Sequence, residues 1–297
     1  MILVVGATGL VGGTVSGLLR QAGKPVRALV RSTADPAKLE SLQRSGASLV
    51  LGDLKDADSL SAACRGVDTV ITTASATVTR QAGDSLQSVD HDGQVRLMDA
   101  ARAAGVSRFI HTSYSHNITA DCPLTTAKRT VEAHLKRSGM NYTILAPSFY
   151  MEVWLGPHLG FDAANAKATI YGTGKNPISW ISFADVARFA AIAVDHPAAR
   201  NATIELGGPE ALSPLDVVAL FERIGGRAFG VQHVDEDTLR DNRAAATDPL
   251  QQSFAALMLA YAKGDAIEMG QTLKTMPVQM VSVSQYAGSV LTTAPEA

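Results

Sequence analysis

The sequence predicts a doubly wound α/β sheet followed by a smaller C-terminal α/β part. Three observations carry this reading. Six short apolar runs punctuate the first half, a helical pattern separates each from the next, and a glycine triplet follows the first run directly. Short apolar or β-branched runs with helices between them are parallel strands covered on both faces.

The elements follow in order. "ILVV" leads into a helix near 10–22, and "VRALV" (26–30) into one near 36–44. "ASLVL" (47–51) precedes a helix near 56–64, and "DTVITTA" (68–74) one near 86–104. "RFIHTS" (108–113) precedes the helix that carries Lys128, and "YTILAP" (142–147) follows it. Past residue 150 the alternation loosens. "KATIYGTGKNPISWIS" (167–182) reads as two short strands about a Gly-rich turn, 183–197 as a helix stopped by Pro197, and "ATIELGG" (202–208) as a strand. In "SPLDVVALFERIGG", Ser213 is the expected N-cap, Pro214 the first helical residue, and the glycines the stop. "PLQQSFAALMLAYAKG" adds a helix, with a polar tail after it. The division expected is a Rossmann-type core over 1–155, completed by 179–206, with a substrate-binding part over 156–178 and 207–297.

Composition narrows the function classes. The 297 residues are 46% hydrophobic and 18% charged, as in an ordinary globular protein. Lysine plus arginine (26) nearly balance aspartate plus glutamate (28), for a net charge of -2. That balance points away from a nucleic-acid or membrane-surface partner. Cys64 and Cys122 fit neither a disulfide framework nor a metal set, and read as reduced thiols. His111 and His116 stand five apart with no third ligand nearby, so no metal site is expected. "MILVV" starts at the first residue without a basic leader, and "FAALMLAYA" (254–262) falls short of the ~20 residues of a membrane span. A cytoplasmic location is the resulting expectation.

"VVGATGLVGGTVSGLLRQAG" sets Gly6, Gly9 and Gly12 between the first strand and the first helix. Without side chains, the backbone turns tightly and approaches a pyrophosphate at the helix N-terminus. Gly6, Thr8, Gly9, Leu10, Val11 and Gly12 are therefore the candidate phosphate contacts. The helix face repeats at Leu10, Val15, Leu18, Leu19 and Ala22, which is core spacing. No Gly-Lys-Ser/Thr follows, which excludes a Walker-type loop. NAD-selective folds end the second strand on an acid ~20 residues beyond the glycines. Here Arg27, Arg31 and Ser32 stand there, with no acid until Asp35. A guanidinium suits a 2′-phosphate, so Arg31 points to NADP(H) over NAD(H).

With these motifs the chain resembles the atypical short-chain dehydrogenases, in particular the NmrA-like and isoflavone-reductase-like branch. The resemblance rests on "GATGLVGG", "VRALVR", "GDLKD" (52–56), "DAARAAGVSRFIHTS" (99–113), Lys128, "SGMNYTILAPSFYME" (138–152) and "ISFADVARF" (181–189). It covers residues 1–206 well and the rest weakly. The resemblance implies that Asp53 and Leu54 hold the adenine, and that Thr73 and Ala74 run along the cofactor's ribose. It implies that Ser113, Pro147, Ser148 and Phe149 lie toward the nicotinamide. Asp53 is alternatively a helix cap, and Ser113 a satisfied strand-end hydroxyl.

One departure bears on the chemistry. The family-wide Tyr-x-x-x-Lys pattern reads Leu124-Thr125-Thr126-Ala127-Lys128 here. Ordinary ketone–alcohol interconversion needs a positioned proton donor for the alkoxide. A conjugated acceptor spreads the negative charge and relaxes that demand. The expectation is an NADP(H)-dependent reductase of a quinone, enone or similar small acceptor, with Lys128 binding the nicotinamide ribose. Tyr114 and Tyr150 are the hydroxyls available to donate a proton or cover the ring. The rival is a non-catalytic NADP(H) sensor with a protein partner; an epimerase or dehydratase needs the missing tyrosine. Asp90 and Asp92 read as helix caps rather than a catalytic pair. Lys128 reads as an exposed helix lysine, whose change to alanine costs no more than ~0.5 kcal/mol.

Overall fold

The apolar runs become strands and the periodic segments helices. The computed structural model describes residues 1–78 and 80–293. In chain order the strands are β1 (Ile2–Val5), β2 (Val26–Val30), β3 (Ser48–Leu51), β4 (Thr69–Thr72), β5 (Arg108–Thr112), β6 (Asn141–Pro147), β7 (Phe161–Asp162), β8 (Lys167–Tyr171), β9 (Ala202–Leu206) and β10 (Gly230–Val234). The helices of the first half are α1 (Leu10–Gln21), α2 (Pro36–Arg44), α3 (Ala57–Cys64), α4 (Asp92–Ala103) and α5 (Pro123–Arg137). The later helices are α6 (Met151–Trp154), α7 (Phe183–Ala193), α8 (Pro214–Gly225), α9 (Glu236–Ala245), α10 (Pro249–Lys263), α11 (Gly270–Thr275) and α12 (Val283–Thr293).

Two compact units share the chain. The first comprises residues 1–113, 123–146 and 186–204, the second 114–122, 147–185 and 205–297. The main sheet runs β3-β2-β1-β4-β5-β6-β9, and the pairs from β3 through β6 are parallel. Strand order reverses where β1 meets β4, which places a crevice beyond their carboxyl ends. The core of the first unit includes Leu3, Leu60, Leu97, Met98, Phe109, Val131 and Leu135. Burying each large side chain stabilises by ~1.5–3 kcal/mol. Arg108 is buried as well; its guanidinium donates to Ala193 O and Thr143 Oγ1, so the charge keeps hydrogen bonds.

The second unit has its own core around Phe161, Trp180, Phe221 and Tyr261, and a small sheet ordered β10-β8-β7. Ser213 caps α8 through a reciprocal capping box with Asp216, Pro214 is the first helical residue, and Gly226 ends the helix at φ 66°. The cap, the proline and the glycine stop are as the sequence predicts.

Three expectations need correction, and one strand was not foreseen. Leu10 is 69% exposed and Ala22 lies outside the core; the buried stripe of α1 is Val11, Val15 and Leu19. Of the two strands expected in 167–182, only β8 forms. Its partners are β7 and β10, while Ile178 and Ile181 make isolated bridges. β10 pairs through backbone register, but its side chains are mostly exposed, so no apolar alternation announces it. The polar tail holds α11 and α12. Val283 and Ala287, one turn apart, are buried among serines and threonines that mask the pattern.

Candidate functional site

The glycine loop is shaped by what it excludes. Gly6 adopts φ +83°, a conformation L side chains rarely take. A Cβ on Gly6 would lie 2.8 Å from both Ala74 N and Thr73 Oγ1, and one on Gly12 would lie 2.3 Å from Gly6 O. Gly9 donates its N–H to Gly6 O at 2.9 Å, which closes the turn. β1, β4 and the start of α1 thus meet backbone to backbone, leaving the helix N-terminus open to an anion. Thr8 is half-buried, Val11 turns inward, and exposed Leu10 stands at the mouth.

The segment after β4 is held from α4 and the turn before it. Residues Leu86–His91 form a π-helical turn capped by Ser85, running into α4. Gln94 accepts from Thr72 Oγ1 and donates to Ala74 O, each at 3.0 Å. Asp90 accepts the Ala76 N–H at 2.9 Å. Thr73 and Ala74 are therefore fixed against the glycines. Asp90 is not a cap; its buried carboxylate binds the β4 loop and Lys128. Asp92 is the first residue of α4 and bonds His91 at 2.7 Å.

At the end of β2, Arg31 meets a partner the sequence did not announce. Its Nη1 lies 2.7 Å from Asp84 Oδ2, and Lys55 Nζ lies 2.6 Å from Asp84 Oδ1. Burial raises the Asp84 pKa, but hydrogen bonds from Lys55, the Gln81 N–H and Arg31 outweigh it and bring the value to about 2. Asp53 accepts the Lys55 N–H in a tight turn, whereas Asp56 caps α3. The cap alternative for Asp53 is thereby excluded. Leu54 is buried, and its Cβ would meet any Cβ added at Gly93 at 2.8 Å.

On α5, Leu124, Lys128 and Glu132 are all buried, one turn apart on one face. Lys128 is 4% exposed, not the surface lysine the sequence suggested, and its Nζ stands 3.1 Å from Asp90 Oδ1. The two are not aligned for a hydrogen bond, since Asp90 Oδ1 accepts none. Charge fixes the ammonium beside Asp90. His111 of β5 is fully buried with neither ring nitrogen bonded, and burial, reinforced by the Lys128 charge, pushes its pKa well below the ordinary value. Ser113 donates its hydroxyl proton to Glu132, which also takes Arg129 Nη1 at 2.5 Å. The Ser113 oxygen in turn accepts from Arg129 Nη1 at 3.4 Å, so this strand-end hydroxyl is satisfied within the protein.

The remaining candidates belong to the second unit. Pro147 accepts the Ser115 N–H, and Ser148 donates its N–H to Leu206 O, each at 2.8 Å. Phe149 packs edge-on to Trp154 at 4.8 Å within an aromatic cluster that includes Tyr261. Tyr150 lies 4.4 Å from the Phe183 ring. Burial and the Glu152 charge raise its pKa well above the ordinary phenol value, making it a weak acid but a durable donor. Tyr114 is half-buried against the same core. Asp265 joins this region to the later chain, accepting from Ser115 Oγ and Asn117 Nδ2 at 2.9 Å each. Cys64 and Cys122 are free and buried, and burial pushes the Cys64 thiol up to about 11. Among the described residues no helix is long and apolar enough to cross a membrane.

The residues present fit a dinucleotide: the loop closes on itself where Gly6 and Gly12 have no Cβ, beside the N-terminus of α1, and two cations, Arg31 and Lys55, stand past the ends of β2 and β3. An NAD(P)H azoreductase of Xenophilus azovorans is 34% identical over 230 residues, covering 76% of this chain and 74% of that one. An isoflavone reductase homolog of Zea mays is 31% identical over 281 residues, covering 89% of this chain and 87% of its own. An NADPH-dependent quinone oxidoreductase from Escherichia coli, complexed with NADPH, superposes with a TM-score of 0.79 at 24% identity over 98% of this chain and 99% of that one. The NmrA-like family model matches residues 1–286. Glycine cradle, buried lysine and sheet order accord with that match, and the chain belongs to the NmrA-like family.

Proposed function

We propose that this protein is an NADP(H)-dependent reductase of a small conjugated acceptor, such as a quinone, an enone or an azo compound. The observation that carries it is an intact glycine cradle together with a buried lysine fixed by Asp90. The azoreductase and the isoflavone reductase homolog support the same class of reaction. When bound, the nicotinamide supplies the hydride. Gly6, Thr8, Gly9, Leu10, Val11 and Gly12 bind the pyrophosphate, Arg31 the 2′-phosphate, and Asp53 and Leu54 the adenine. Thr73 and Ala74 run along the ribose.

Lys128 donates to the nicotinamide ribose hydroxyls, and its charge, tethered by Asp90, supplies a positive field where negative charge grows on the acceptor. Pro147, Ser148 and Phe149 flank the nicotinamide, and Tyr114 or Tyr150 covers the ring or returns a proton. With buried Leu124 in the acid's place, a conjugated acceptor is the better match, since it holds its charge without a strong donor. The test is NADPH oxidation followed against quinones, enones, azo dyes and simple ketones. Turnover of the conjugated set with little on ketones is expected. Tight NADPH binding with no turnover would leave the sensor reading standing, and absence of NADPH binding would end both.

A further inference from the structure

The Arg31–Asp84–Lys55 cluster is more than a phosphate site. Each oxygen of Asp84 takes one cation, Oδ2 from Arg31 at 2.7 Å and Oδ1 from Lys55 at 2.6 Å, and Oδ2 also accepts the Gln81 N–H at 2.9 Å. The Asp84 side chain is only 3% exposed, while those of Arg31 and Lys55 are 30% and 31% exposed. The cations thus turn inward toward an anion and keep a solvent-facing side. A second tie secures the same segment: Thr33 Oγ1 donates to Gln81 Oε1 at 2.5 Å. Lys55 Nζ also lies 3.8 Å from Asp53 Oδ2, so two cations meet two carboxylates and the patch has no net charge.

A site built only to attract a phosphate dianion would keep its cations unopposed. Here a carboxylate within the chain already bonds both cations. We propose that Asp84 sets the discrimination between NADP(H) and NAD(H), competing with the 2′-phosphate for Arg31 and Lys55. The inference rests on the dinucleotide reading above and adds to it a residue that opposes the ligand. A 2′-phosphate must share or displace the Asp84 contacts, and like charges brought together on two cations repel. A ligand with a free 2′-hydroxyl meets no such competition. Asp84 therefore lowers the preference for NADP(H) without touching the reacting ring, and Lys55 is the second cation the phosphate recruits. The carboxylate stays ionised through the physiological range, so the opposition is constant rather than pH-gated.

The test is equilibrium titration of the full chain with NADPH and NADH by ligand fluorescence, with 2′,5′-ADP and 5′-AMP as competing fragments. In Asp84→Asn, NADPH and 2′,5′-ADP should bind on the order of tenfold tighter, the scale of one charge-assisted hydrogen bond, with NADH and 5′-AMP within about twofold of wild type. Lys55→Gln leaves Asp84 in place and covers the case in which Asp84→Asn does not fold. It should weaken NADPH on the order of tenfold and spare NADH. An unmoved NADPH-to-NADH ratio in either variant overturns the proposal, as does weaker NADPH binding in Asp84→Asn, which would make the carboxylate an organiser of Arg31. A wild-type chain that binds neither dinucleotide overturns the underlying reading and this proposal together.

Discussion

Lys128 and Asp90 form a buried ion pair that joins α5 to the turn preceding α4, with 3.1 Å between Nζ and Oδ1. Asp90 also secures the β4 loop through the Ala76 N–H, so one carboxylate serves both the loop and the lysine. Stability and function are therefore entangled at Lys128, and only paired variants separate them.

Lys128→Met leaves the fully buried Asp90 carboxylate without its counter-charge. Destabilisation of ~3–5 kcal/mol is expected, measured by urea unfolding. The double variant Lys128→Met/Asp90→Asn should recover most of that loss, while acceptor reduction stays low in both. A double variant that restored turnover would remove the lysine from the reaction.

The pH dependence of stability should carry the mark of His111. Its imidazole is held neutral in the folded chain, its pKa depressed by burial and by Lys128. The unfolded chain takes up the proton below ~6.5, so this contribution is complete above that pH and declines as pH falls toward the folded value. The slope should reach ~1.4 kcal/mol per pH unit, and His111→Asn should flatten it in urea titrations between pH 7.5 and 5. An unaltered slope would mean His111 is not held neutral.

Gly12→Ala puts a Cβ 2.3 Å from a backbone oxygen, which no side-chain rotation relieves. A stability loss of ~1–3 kcal/mol and a fall in dinucleotide affinity of at least about tenfold are expected from melting curves and titration. Gly17→Ala, where nothing lies within 4 Å of the added atom, is the control and should stabilise α1 slightly.

Leu124 occupies the acid's place as a core residue, so a tyrosine there carries a packing cost of ~1–3 kcal/mol. Leu124→Phe isolates that cost. Any gain of Leu124→Tyr over Leu124→Phe in simple-ketone reduction then belongs to the hydroxyl, and a gain is expected. Equal rates would show that the hydroxyl misses the reacting oxygen.

Most first-half strands were legible because parallel strands covered on both faces are predominantly apolar or β-branched runs, and the glycine triplet because backbone approach forbids a Cβ. The carboxylates were not. Asp84 meets Arg31 across 53 residues and Lys55 across 29, and Asp90 meets Lys128 from another helix, so no local spacing reveals them. Lys128 read as exposed because a lone lysine on an amphipathic helix ordinarily is; only the facing carboxylate makes its burial tolerable. β10 and α12 escaped because one is held by backbone pairing and the other by small residues among polar ones.

The interleaving of the two units has a consequence for how the protein is made. The chain passes from one to the other five times, at 113/114, 122/123, 146/147, 185/186 and 204/205. No single cut yields either unit whole, and a ribosome that has released the first 146 residues has not yet supplied 186–204 of the first unit. Contacts so distant in sequence close late and slowly. The first unit of a nascent chain should remain protease-sensitive until the strand at 202–206 has emerged, then gain resistance in one step, while the second waits for the rest of 205–297.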